Sequence, residues 1–207
     1  MDTNPDRGYN RYDPTDKPRN EGTAIAPDGD DRRIALEGYP EIRLHLQMIR
    51  LTEEDLRLIS LMQPFIADNQ DQLADSFYEC ILQTDNLREI FSKHVDMGHL
   101  RAALCDHIVA MFAGRIDESY IERRFRIAVF HQKVGVPPKW YITLYQNLLT
   151  ILLSFVHEIS DRLSDVERMR QAITKLISFE QQLGLEAYEQ RSQNEERKAK
   201  AVIGAAR

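Results

Sequence analysis

From Ile42 to Tyr188 the apolar residues return every three or four positions, and nowhere do they alternate with polar ones over the length of a strand. A stripe at the helical period must be covered by another helix, so the pattern points to an all-α fold with no sheet. Of 207 residues, 43% are hydrophobic, which suits one domain with an ordinary core. The breaks in the pattern divide it into about eight helices. The first covers 40–48. A second opens on Thr52 as N-cap with Glu53, Glu54 and Asp55 in its first turn, and its apolar positions Leu56, Ile59 and Leu61 run toward Pro64. Others follow over 68–83, 85–91 and 98–112, the last stopping at Gly114. Asp117 caps a helix over 118–134 that Gly135 ends, and Pro137-Pro138 opens the next, over 137–159. The last starts near Ser164 and passes beyond Tyr188, where QRSQNEERKAKA keeps helix formers but loses its apolar face.

Residues 1–33 hold half of the eight prolines and a third of the nine glycines. Such a segment buries too little apolar area to offset its ordering entropy and is expected to be a disordered tail. The expected domains are this tail (1–33), a folded domain (34–193) and the start of a helical linker (194–207). A net charge of −6 argues against a nucleic-acid partner. No apolar run of spanning length is read in the chain and the N-terminus has no apolar leader, so a cytoplasmic protein without a membrane span is expected. Cys80 and Cys105 form no CxxC pair and are expected to be reduced core thiols. Cys105 and His107, two apart on a helix, point to opposite sides and cannot share an ion.

Among six histidines, His131 stands out, in the stretch RIAVFHQKVGVPPKWY. It lies on the stripe of Ile127 and Val134, one turn before a forced reversal that returns Trp140 and Tyr141 toward it. Burying an imidazole without a partner is costly, and a metal is one good partner. Zinc would need two or three further ligands, and neither HExxH nor CxxC is present. A single axial histidine beside an apolar cavity suits heme better than a bare ion.

The run MFAGRIDESYIERRFRIAVFHQKVGVPPKWYITLYQNLL, together with IRLTEEDL, DSFYECIL, DHIVAMFAG and FEQQLGLEAY, resembles the globin-coupled sensor family over about 44–189. The resemblance implies a three-over-three globin sandwich lacking the D helix, with an extra N-terminal helix, binding heme b. It implies His131 as the proximal iron ligand and Tyr78 as the distal donor to O2. It also implies Leu100 as an apolar distal wall, His94 at the heme edge, Tyr141 beside the proximal side, and Phe77, Ile127, Val134 and Trp140 as cavity wall. Ala103 departs from the pattern, since a family relative carries a threonine there, and its loss removes a hydroxyl from the pocket. A phenol donor favours O2, whose bound form carries partial negative charge, over CO.

The expected function is therefore a heme-based sensor of O2, with CO and NO as further ligands, rather than an enzyme. The resemblance implies a homodimer through the last two helices, whose apolar faces include Leu144, Leu148, Leu152, Phe155, Ile173, Leu176 and Leu183. It also implies an output signalling module reached through the helix after Tyr188. Two other classes stay open. One is a heme-free globin-shaped interaction module, against which both His131 and Tyr78 speak. The other is an O2- or NO-consuming globin or weak peroxidase. That would need an electron source, yet no GxGxxG is present, and a distal acid–base residue, for which His99 or His107 is the local candidate.

Overall fold

The computed structural model describes residues 33–94, 96–160 and 162–205, without the side chains of 92–94, 195, 198, 199 and 201–205. These residues belong to one compact unit, Arg32–Arg207. The expectation of a disordered tail falls on residues outside those described, save Arg33.

Among the described residues eight helices follow in order: α1 Pro40–Met48, α2 Glu53–Asp68, α3 Gln70–Leu82, α4 Asp85–His94, α5 Met97–Met111, α6 Glu118–Lys133, α7 Pro138–Ile159 and α8 Leu163–Ala205. They form the globin sandwich, with α2, α5 and α6 over α3, α7 and α8, and α1 as the extra N-terminal helix. Only residues 95 and 96 separate α4 from α5, which leaves no room for a D helix. The packing partners of α8 are α7, α6 and α2, whereas α3 packs on α5 and α7.

Local chemistry sets the helix ends. Thr52 accepts from the Asp55 amide at 3.2 Å while Asp55 accepts from the Thr52 amide at 2.8 Å, a full capping box. Asp117 accepts from the Tyr120 amide at 2.9 Å. At the end of α6, the Val136 amide reaches the His131 carbonyl at 2.9 Å and the Gly135 amide reaches Gln132 at 3.1 Å. Gly135 sits at φ +86°, so this is a Schellman closure.

Several sequence expectations need correction. Pro64 does not end α2 but lies inside it, so the Ser60 carbonyl lacks its helical donor and the helix runs on to Asp68. Leu61 faces outward at 66% exposure, with Met62 taking the core position. Cys80 is exposed, and only Cys105 is a buried thiol. A two-residue parallel bridge, β1 (Ile34–Ala35) with β2 (Ile116–Asp117), was not foreseen. Arg33, assigned to the tail, donates to the Gly114 carbonyl at 3.1 Å. Finally, α7 is long and apolar enough by length and composition to cross a membrane, correcting the reading that no such run exists. In this fold its Tyr141, Leu144, Tyr145, Leu148, Leu152, Phe155 and Val156 are buried in the core.

Gly114 and Gly135 both have positive φ, but their surroundings differ. A Cβ on Gly114 would overlap the Leu56 carbonyl and Ser60, whereas nothing lies within 4 Å of one on Gly135. Gly135→Ala should cost about 1–2 kcal/mol, the left-handed backbone alone. Gly114→Ala should cost about 2–5 kcal/mol, because overpacking adds to it. Urea unfolding of the two variants side by side measures the difference.

Candidate functional site

The apolar stripe of α5 is wider than the surface its neighbours cover. Cys105, Ile108 and Met111 are buried, while Leu100, Leu104 and His107 are half-buried and Ala103 is exposed. On α6, Ile127, His131 and Val134 are likewise half-buried. The two helices form no packed seam with one another, since α5 is held by α3 and α2 and α6 by α8. The result is two half-covered apolar helix faces without a mutual partner, the kind of surface a flat apolar group covers.

The tautomer of His131 is set by its backbone partner. Its Nδ1–H donates to the Ile127 carbonyl at 2.8 Å, which leaves the lone pair on Nε2. Burial lowers its pKa, partly opposed by that hydrogen bond, so the ring is neutral at pH 7. The Tyr141 ring meets it edge-on at 5.4 Å between centroids. No cluster of three His, Cys, Asp or Glu able to hold a bare ion exists among the described residues. The donor set therefore fits one axial bond to a metal that arrives with its other ligands.

Tyr141 is placed by α8. Its ring packs so closely over Gly184 that a Cβ there would overlap Cε1 and Cζ. The Tyr188 ring meets the same ring at a tilt, 5.5 Å between centroids, and its hydroxyl donates to the Val136 carbonyl at 2.7 Å, clasping the corner after His131.

Tyr78 lies half-buried on α3, edge-on to buried Phe77 at 5.7 Å. Burial, reinforced by the nearby Cys105 and opposed by Arg101, pushes its phenol up to about 12, so it remains a neutral donor. Trp140 is half-buried at the opening of α7, with the Lys139 ammonium 5.9 Å from its ring. His94 ends α4, but its side chain lies outside those described. The structure thus joins Ile127, His131 and Tyr141 in one group and Phe77 with Tyr78 in another. His99 is 85% exposed and pairs with Asp96, which removes it as a pocket residue.

A buried polar chain escaped the sequence reading. Glu180, fully buried on α8, accepts from the Tyr120 hydroxyl, from Arg124 Nε at 2.6 Å and from the Tyr145 hydroxyl at 3.2 Å. Burial disfavours the Arg124 charge, but Glu180 and Tyr120 more than offset this and hold its pKa above the ordinary value. Tyr145 also lies 3.2 Å from His107 Nε2. Its one proton goes to Glu180, so His107 must donate through Nε2–H. That leaves an acceptor at His107 Nδ1, which is buried and has no partner. Burial, then the nearby charge of Arg124, holds the His107 pKa well below its usual range. The signal for this chain was present in the sequence: Glu180 falls in the series Ile173, Leu176, Ile177, Leu183, and Arg124 falls seven residues before His131 on its stripe.

The Protoglobin family description matches residues 39–194. A curated relative, the "Heme-based aerotactic transducer HemAT" of Halobacterium salinarum, is 22% identical over 166 residues. That alignment takes in 75% of this chain and 34% of the relative, so the chain spans about a third of that protein's length. Among solved structures, the globin domain of a Geobacter sulfurreducens globin-coupled sensor is similar with a TM-score of 0.66 at 23% identity. The match covers 70% of this chain and 96% of that one, and shows the shared fold. Both relatives are named as a transducer or a sensor rather than as enzymes.

Gly184→Ala tests how Tyr141 is held. The methyl must displace the ring, at a cost of about 1–3 kcal/mol in stability, and it should shift the emission of the single tryptophan, Trp140, next to it. Gly98→Ala, where a Cβ meets only Asp96 at 3.7 Å, should leave that emission unchanged.

Proposed function

The chain belongs to the protoglobin family, and from that premise we propose that it is a heme-binding gas-sensing domain that takes up O2 reversibly and passes the state of the site along α8. The observation that carries this reading is His131, with Nδ1–H committed to Ile127 and a free lone pair on Nε2 beside a half-covered apolar face. Bound heme b would supply a ferrous iron able to take O2, and CO or NO, as its sixth ligand. His131 is the axial ligand in this reading. Ile127, Val134, Leu100, Ala103, Phe77, Trp140 and Tyr141 form the cavity wall, with His94 at its edge. Tyr78 donates its phenolic proton to a ligand carrying partial negative charge.

The output is proposed to lie beyond α8, which runs unbroken across the expected boundary at 193/194 between sensor and linker. A homodimer through α7 and α8 belongs to the same reading. Leu144, Leu148, Leu152, Phe155, Ile173, Leu176 and Leu183 are not available for it, because each is buried in this chain's own core. Among the described residues, half-buried Ile142, Leu149, Ile151, Leu153 and Ile159 and exposed Leu163 and Leu185 are apolar positions on those helices left for a second copy. A cytoplasmic location is part of the proposal.

Absorption spectra of the reduced chain, first without oxygen and then in air, test the reading. A Soret band that shifts reversibly in the parent and is abolished or decoupled from O2 in His131→Ala is the expected result. No Soret band after reconstitution with heme would leave a heme-free interaction module. For Tyr78→Phe, O2 should dissociate about tenfold faster or more, the loss of one charge-assisted bond. CO dissociation should change less, and stopped-flow exchange measures both.

A further inference from the structure

We propose that Glu180 is a positioning residue for the metal-ligating histidine, fixing the register of α6 on α8 through Arg124 and the aromatic wall behind His131 through Tyr145 and Tyr141. The inference rests on the role proposed for His131, but its grounds are separate.

A buried ion pair seldom adds net stability, because desolvating both charges costs about what their attraction returns. Its distinctive property is direction. Glu180 is fully buried and Arg124 is 2% exposed, and Nε sits 2.6 Å from Oε1. The Arg124 guanidinium also lies flat on the Tyr120 ring at 4.2 Å, so both donors from α6 converge on one oxygen. Sliding α6 along α8 would break these bonds, whereas apolar contacts tolerate small slips. Arg124 and His131 are seven residues apart on one helix face, about 10 Å along the axis. Whatever fixes the first fixes the height and rotation of the second.

The other carboxylate oxygen serves the second half of the arrangement. It accepts from Tyr145 at 3.2 Å, and the Tyr145 ring packs on Tyr141 at 5.1 Å, the ring that meets His131 edge-on. Tyr145 also carries the bond from His107 of α5. One carboxylate on the outgoing helix thus bonds Arg124 and Tyr145 directly and, through Tyr145, is linked to His107 of α5. A second pair, partly buried, Asp55 with Lys175 at 2.9 Å, ties α2 to α8 without reaching the site and serves as the control.

The test uses the heme-loaded chain and the iron–histidine stretching band of its ferrous, ligand-free form, a readout that stability alone does not move. Three variants are compared with the parent: Glu180→Gln, the double variant Arg124→Met/Glu180→Met that removes both charges and keeps apolar volume, and Asp55→Asn. Both Glu180 variants should shift or broaden the band and change the O2 dissociation rate about threefold or more, the scale of one coupling interaction. Asp55→Asn should lower the thermal midpoint and leave band and rate unaltered. If either Glu180 variant binds heme with the parent's band and rate, the pair is only structural and the inference is overturned. If Asp55→Asn moves the band as far as the Glu180 variants do, the effect is general loosening and the inference falls as well. A parent chain that takes up no heme overturns the proposed function itself, a result distinct from either.

Discussion

A carboxylate cut off from water has to find its donors in the protein, and Glu180 finds three, two from α6 and one from α7. The mutual placement of α6, α7 and α8 follows from meeting that demand at one point. The surrounding Phe179, Leu176 and Leu183 bury apolar area and supply the driving force, but burial has no direction. The hydrogen bonds choose among the many ways three apolar helices can pack. Helix α8 gains a second anchor at Asp55–Lys175 and a third where Tyr188 holds the Val136 carbonyl. It is therefore the element to which the rest of the sandwich is indexed.

The same anchoring explains why α5 and α6 stay apart. Each is committed elsewhere, α5 to α3 and α2, α6 to α8, and neither can move to cover the other's apolar stripe without breaking those contacts. Half-buried Leu100, Leu104, Ile127 and Val134 forgo part of the burial free energy available to them. A group that covered those faces would bind the folded state alone and stabilise it by mass action.

Much of the fold was legible because helix ends are local chemistry. Thr52 with Asp55, Asp117, Gly135 and Pro137-Pro138 each act within a few residues, and the helices begin or end there. Pro64 misled because a proline's cost can be absorbed when both flanking turns are packed, as Ile59, Met62 and Ile66 are. Leu61 misled because a stripe read over one short segment does not fix the helix's rotation to a single residue. For the site, His131 was legible from its stripe and its corner, and the geometry adds what spacing cannot: the tautomer, set by the Ile127 carbonyl. Tyr145 and Glu180 are 35 residues apart, and no local pattern pairs them. What the sequence did offer was a charge on an apolar stripe at both Arg124 and Glu180, which calls for a partner without saying which.

The direction of the protons constrains the chemistry further. Tyr145 has one proton, and its hydroxyl donates it to Glu180. His107 must then give its Nε2–H to Tyr145, so it faces its remaining surroundings with a lone pair. A neutral histidine in that state offers no hydrogen to a ligand with negative charge. Ala103 offers none either, and Leu100 and Leu104 are apolar. Among the residues of this pocket, the donor that remains is the Tyr78 phenol, which burial keeps protonated and which has no competing hydrogen bond among the described residues. Under the proposed function, discrimination between ligands would rest on that one hydroxyl group, while burial and the Arg124 charge keep His107 neutral.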